Sequence, residues 1–278
     1  MHIYFINKLN AFLSGLEQKF GLRASSVILG LLLLGLAAIY VTPAMQAMQL
    51  GRGYASLSIA PFDFSEQNNL RFRILTPLLA YCIGMRGSLY ILFPLIIAVV
   101  FLAVIYFQLR KRQEPNTSFL ITAMICFSTP ILFLLHFAGY VDVTSYLLII
   151  LAFAYIENAI VLGFCLTLLL LNHDSNVFIL PALLIAFFLN SKEKVKGLLT
   201  AGVLLVVAIV PFYFYRKYVN TQSPVNYNSE MYFSQMKENI KSISLYFPVG
   251  FFYAFKLFWI FPFAATYYYF KEKNWKHY

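Results

Sequence analysis

Apolar residues fall in long runs over most of this chain, with short polar or charged segments between them. The runs cover residues 24–41, 90–109, 118–137, 144–156, 159–171, 177–189, 198–215 and 246–270. A helix needs about 20 residues to cross the hydrocarbon of a bilayer. The four runs between 118 and 189 have soft boundaries and read as tilted or partly buried spans. The pattern predicts an all-α fold: a polytopic transmembrane helix bundle of about eight spans, forming one domain over residues 1–278.

Two regions depart from that pattern. Within residues 1–20, Phe5, Leu9, Phe12, Leu13, Leu16 and Phe20 recur at helical spacing, with Lys8, Glu17 and Lys19 among polar positions. This predicts an amphipathic helix lying on the membrane, with residues 1–23 on the cytoplasmic side. Residues 42–88 form a long first outer loop, in which 74–83 are apolar but too few to cross. That stretch is expected to be an interfacial or partly re-entrant helix. A second outer loop is expected at 216–245.

Composition narrows the class further. Of 278 residues, 61% are hydrophobic and 12% charged, against about 25% charged in a soluble domain. The formal charge of +10 does not signal nucleic acid, because the basic residues sit in clusters between apolar runs. Lys8, Lys19, Arg23, then 110–112, then Lys192, Lys194 and Lys196, then Lys271, Lys273 and Lys276 fall on one side of an eight-span chain. The positive-inside rule makes that side cytoplasmic, with both termini inside a bacterial cytoplasmic membrane. Arg52, Arg71, Arg73, Arg86, Arg216, Lys217, Lys237 and Lys241 oppose this, concentrated in the two long loops. Cys82, Cys126 and Cys165 lie inside apolar runs at wide spacing, which fits small hydrophobes rather than a disulfide framework or zinc site.

On this topology Asp63, Glu66, Arg71, Arg73, Asp142, His173 and Asp174 gather at the outer side. An ionisable group near hydrocarbon costs about 2.5–3.5 kcal/mol on insertion scales, so such convergence points to a site. Asp63 and Glu66 share a face if helical, and Arg71 and Arg73 share one if extended. A carboxylate there can act as a general base or hold a metal, and a guanidinium can bind phosphate. The alternative is solvated loop charge. Asp142 sits in a very short connector, where it also suits the N-cap of the following span. Asp174, next to His173, suits capping of the helix beginning near residue 177. Lys256 lies within the last run and is expected to face the interior, as counter-charge to a lipid phosphate or to a carboxylate. A metal held by His173, Asp174, Asp142 and Asp63 matches no ligand spacing, so no metal or other cofactor is assigned.

Four strings together resemble the GT-C superfamily of membrane glycosyltransferases. They are the outer loop with Asp63 and its interfacial helix; Arg71-Phe-Arg-Ile-Leu-Thr-Pro77; Gly139-Tyr-Val-Asp142; and Asn172-His-Asp-Ser-Asn-Val-Phe-Ile-Leu-Pro181. The resemblance implies an enzyme that moves a sugar from a polyprenyl-phosphate carrier to an acceptor at the outer face. It implies Asp63 or Asp142 as the catalytic base, with Glu66, Arg71, Arg73, His173, Asp174 and Lys256 contacting substrate. The expected partners are the lipid-linked sugar donor, membrane lipids and other membrane proteins. Two other classes fit the pattern: a translocase for lipids or lipid-linked sugars, and a non-catalytic subunit of a membrane assembly.

Overall fold

The computed structural model describes residues 2–42, 50–63 and 69–222. Glu66, Lys256, the apolar run at 246–270 and most of the loop at 216–245 lie outside the described residues. Every regular element among those described is helical.

The chain opens with α1 (His2–Val41), whose helical geometry is interrupted at Gly21 (φ 77°, ψ 157°). Only glycine adopts that backbone cheaply, so the break separates the amphipathic stretch from the apolar one where the sequence pattern changes. Leu9, Leu13 and Leu16 before the break pack with Leu29, Tyr106 and Phe119. The Ser25 hydroxyl donates to the Leu16 carbonyl across it at 3.0 Å.

The first loop contains α2 (Leu50–Leu57), a 3-10 turn (Asn69–Phe72) and α3 (Leu75–Cys82). α3 is the short non-crossing helix expected at 74–83. A second 3-10 turn (Gly87–Ile91) leads into α4 (Leu92–Leu109). The run at 118–137 is two helices, α5 (Pro115–Cys126) and α6 (Thr129–His136), bent by 49°. Pro130 stands in the first turn of α6, where its missing N–H costs nothing but forbids continuation from α5. Then come α7 (Asp142–Ala154), α8 (Ala159–Asn172), a 3-10 turn (Asp174–Phe178), α9 (Leu180–Asn190) and α10 (Lys194–Gln222).

Helix α1 packs on α4 and α5, α4 on α7, α7 on α8, and both α8 and α9 on α10. One core gathers Leu33, Leu102, Ile131 and Leu135; a second gathers Leu162, Leu166, Leu169, Leu183 and Ala208.

The span count differs from expectation. Among the described residues three helical stretches are long and apolar enough to cross, Asn7–Val41, Gly87–Leu109 and Lys194–Gln222, and a fourth if the bent α5–α6 pair is one span. Helices α7, α8 and α9 have 13, 14 and 11 residues. At about 1.5 Å per residue they fall well short of a hydrocarbon core about 30 Å thick. Much of their apolar surface is spent on protein packing: Leu147, Leu148, Leu162, Leu166 and Leu183 are buried. Composition alone does not separate a core helix from a spanning one. By contrast, α10 exposes Leu198, Leu199, Val203, Val206 and Phe214. Apolar faces of that extent belong to a helical membrane protein.

Candidate functional site

The site is built from pieces far apart in sequence, held together by one glycine contact and one buried amide network. Helix α2 lies against the connector before α7 so closely that a Cβ at Gly51 would stand 2.3 Å from the Ala138 carbonyl oxygen. Gly139, on the other side of the contact, has φ of +96°, and its Cβ would meet the Gly51 Cα at 3.1 Å. Two side chains are omitted so that two backbones can touch. The approach sets Tyr54, 1% exposed, beside the connector that ends at Asp142.

The amide network joins α3, α7 and α8. Asn172 Nδ2 donates to the Val141 carbonyl at 3.0 Å and to Ser145 Oγ at 2.8 Å. Its Oδ1 accepts from the Thr76 hydroxyl, which lies 2.8 Å from the hydroxyl of Thr144. Four residues on, Asn176 Nδ2 donates to Ser145 Oγ and to the Leu169 carbonyl, both at 2.8 Å. All five side chains are buried. Satisfied amides at that depth fix geometry, because a slip would leave polar groups without partners or water. They thereby hold His173 and Asp174, between the two asparagines, against the first turn of α7.

Charge gathers around Asp174. Its carboxylate lies 3.7 Å from Arg73 Nη2, 3.9 Å from Arg216 Nη1 and 3.3 Å from His173 Nδ1. A hydrogen bond with His173, then the charges of Arg73, His173 and Arg216, outweigh burial and pull the Asp174 carboxyl down to about 2. His173 Nδ1 is also 3.2 Å from the Ser175 N–H. A neutral ring accepts there, whereas a ring protonated at Nδ1 donates to Asp174, so one nitrogen has two exclusive uses. Arg73 Nη1 donates to the Tyr54 hydroxyl at 3.0 Å. Burial pushes the Tyr54 phenol up, Arg73 pulls it down, and Asp142 lies close enough to push it up again. Tyr54, packed with Val141 just before Asp142, is thus the phenol that Arg73 holds.

Helix α10 closes the cluster. The Tyr215 hydroxyl donates to the Arg71 carbonyl at 2.6 Å, and Arg216 stacks over Phe72 at 4.8 Å from the ring centre. Two guanidiniums, those of Arg73 and Arg216, thus stand around the Asp174 carboxylate. At 3.7 Å the Arg73–Asp174 pair is held by charge rather than by a direct hydrogen bond. An incoming phosphate oxygen can take that Nη2 donor without first breaking a strong bond.

Of the residues singled out in the sequence, Arg73 and His173 are in direct contact with Asp174, and Asp142 is within electrostatic reach of Tyr54. Arg71 and Arg73 do not act as an extended pair. Residues 69–72 are a 3-10 turn, which buries the first arginine to 2% exposure and leaves the second part-exposed. Asp63 is exposed, at a turn closed by its own N–H to the Ala60 carbonyl at 3.1 Å. Glu66 and Lys256 lie outside the described residues.

The two capping expectations are corrected. Val141 holds the N-cap position of α7, with Asp142 in the first turn and no side-chain cap bond. Its carboxylate still meets the positive end of the helix. Asp174 opens a 3-10 turn that His173, not Asp174, caps. α9 starts later, at Leu180, with no side-chain cap bond.

Tyr54, Thr76, Thr144, Ser145, Asn172, Asn176 and Tyr215 were not read as site residues. The signal was there for the asparagines: two amides four apart at the end of an apolar run are costly unless they bind each other's neighbours. Among the described residues no three His, Cys, Asp or Glu side chains gather as metal ligands.

No family model matches the chain, and neither a curated protein nor a solved structure matches it significantly.

Proposed function

We propose that this cluster recognises the phosphate of a lipid-linked sugar, in a membrane glycosyltransferase of the GT-C kind. In this reading the short helices α7, α8 and α9 belong to a bundle of about eight spans, their shortness met by local thinning of the bilayer. The Lys/Arg-rich end faces the cytoplasm of a bacterial inner membrane, and the cluster faces outward.

The observation that carries the reading is the convergence of Arg73 and Arg216 on Asp174, with Arg73 donating to Tyr54, which packs with Val141 just before Asp142. Attack by an acceptor hydroxyl displaces a lipid phosphate, whose growing charge needs cations already in place. Arg73 and Arg216 supply them, Asp174 keeps them apart and oriented, and Asp142 takes the acceptor proton. Asp142 is the base this reading prefers, because it follows Val141, which packs with Tyr54, the partner of Arg73.

The test is transfer from a polyprenyl-phosphate sugar by the purified full chain, with Asp142→Asn and Asp63→Asn compared at equal protein level. The expected result is transfer abolished in Asp142→Asn; full activity in both variants rejects the assignment. A lipid translocase or a non-catalytic subunit would use the same cluster for binding alone. Flipping of a labelled lipid in liposomes without transfer supports the first of these, and neither activity supports the second.

A further inference from the structure

A cavity of about 350 Å³ lies at the opposite, Lys/Arg-rich end, between α1, α4 and α7. Its wall is apolar, formed by Val27, Val100, Val104 and Leu151, and its mouth carries Arg23, Gln108 and Tyr155. Among the described residues no carboxylate lines it. The neighbouring cation is already committed. Arg110 grips Glu17 through two hydrogen bonds, Nε at 2.7 Å and Nη2 at 2.9 Å, and Tyr106 donates to the same carboxylate at 2.7 Å. Arg23 follows the break at Gly21, where the chain passes from its amphipathic stretch to its apolar one, so its charge stands at the level where a groove of this kind meets water.

An apolar trough with one cation and two hydrogen-bonding groups at its mouth is complementary to a molecule with an alkyl chain and an anionic head. We propose that this groove holds an anionic phospholipid from the leaflet at the Lys/Arg-rich end, its acyl chain along Val27, Val100, Val104 and Leu151 and its phosphate at Arg23. Basic pockets between membrane helices recognise anionic head groups by this means. The wall suits a lipid better than a free phosphate, because a small anion would leave most of that apolar surface uncovered.

The experiment reconstitutes the full chain in phosphatidylcholine vesicles containing a trace of lipid with a photoreactive acyl chain. The head group is either phosphatidylglycerol or phosphatidylcholine, and cross-linked peptides are mapped by mass spectrometry. The phosphatidylglycerol probe is expected to label the peptides bearing Val27, Val100 and Leu151 about fivefold more than the phosphatidylcholine probe, the factor for one basic side chain near a surface. Arg23→Gln removes that preference. Val100→Trp, at a position already 39% exposed, fills the groove and suppresses its labelling while leaving that of Leu198 and Leu199 on α10. Equal labelling by the two head groups, a preference that survives Arg23→Gln, or labelling no denser in the groove than on α10 overturns the proposal. So does displacement of the probe by excess glycerol phosphate, which would make the site one for a soluble anion.

Discussion

Asn172 donates to the Val141 carbonyl at 3.0 Å, so the residue before His173 grips the residue before Asp142. This single bond couples the turns that carry Asp142, His173 and Asp174. Replacing Asn172 with leucine keeps the volume but removes one hydrogen bond each from the Val141 carbonyl and the hydroxyls of Thr76 and Ser145, which keep the Thr144 N–H, the Thr144 hydroxyl and Asn176 as partners. Each bond so lost is worth about 0.5–1.5 kcal/mol net. Thermal unfolding in detergent is expected to fall by several degrees, and any transfer activity to fall with it. An unchanged midpoint means the network does not hold the site.

The contact between Gly51 and Gly139 predicts a second sensitivity. A methyl at Gly51 would stand 2.3 Å from the Ala138 carbonyl oxygen, a backbone atom that cannot rotate away. Gly51→Ala is expected to cost about 1–3 kcal/mol by overpacking, and Gly139→Ala to add left-handed strain. Gly35→Ala, where nothing lies within 4 Å of the new methyl, is the control and is expected to be neutral or slightly stabilising. Unfolding curves for the three variants decide it.

The carboxyl of Asp174 titrates from an ordinary 3.8 down to about 2. A depressed folded-state value contributes stability that is present above about 3.8 and is lost as pH falls through about 2. The protonated carboxyl band of Asp174, found by infrared difference against Asp174→Asn, is expected only as pH approaches about 2. Arg73→Gln removes one of its cations and moves that midpoint upward. A band already strong at pH 4 in the unsubstituted protein is inconsistent with the cluster.

At the other end, Glu17 and Arg110 clamp α1 to α4 by a bidentate pair. Their side chains are 14% and 19% exposed, which places the pair above the usual worth of an exposed one. A double-mutant cycle with Glu17→Gln and Arg110→Gln is expected to return a coupling of about 1 kcal/mol or more. A coupling of zero means the amphipathic stretch of α1 is held by Leu13 and its neighbours alone.

Much of this arrangement was legible from residue order. The break near Gly21, the short α3 and the gathering of Arg73, Asp142, His173 and Asp174 at one end all follow from apolar runs and the charges that stop them. The number of spans did not follow, because a leucine packed inside the bundle and one facing lipid leave the same mark on hydropathy. α8 shows the ambiguity: it buries Leu166 and Leu169 yet exposes Ile160 and Phe164. Tyr54 and Tyr215 were illegible for another reason. Aromatics near run ends are common at membrane interfaces, and only the backbone contacts of α2 and α10 reveal these two as partners of Arg73 and Arg71. The parting of Arg71 from Arg73 turned on a 3-10 turn of four residues, below what periodicity resolves.

The most direct measurement is the affinity of the purified full chain for a polyprenyl phosphate, compared between the unsubstituted protein, Arg73→Gln and Arg73→Lys. If Arg73 donates to the phosphate, Arg73→Gln loses about tenfold or more in affinity. Arg73→Lys recovers only part of it, since a point charge lacks the planar fork. Equal affinity in all three, with the fold intact, contradicts a phosphate site at Arg73, Asp174 and Arg216.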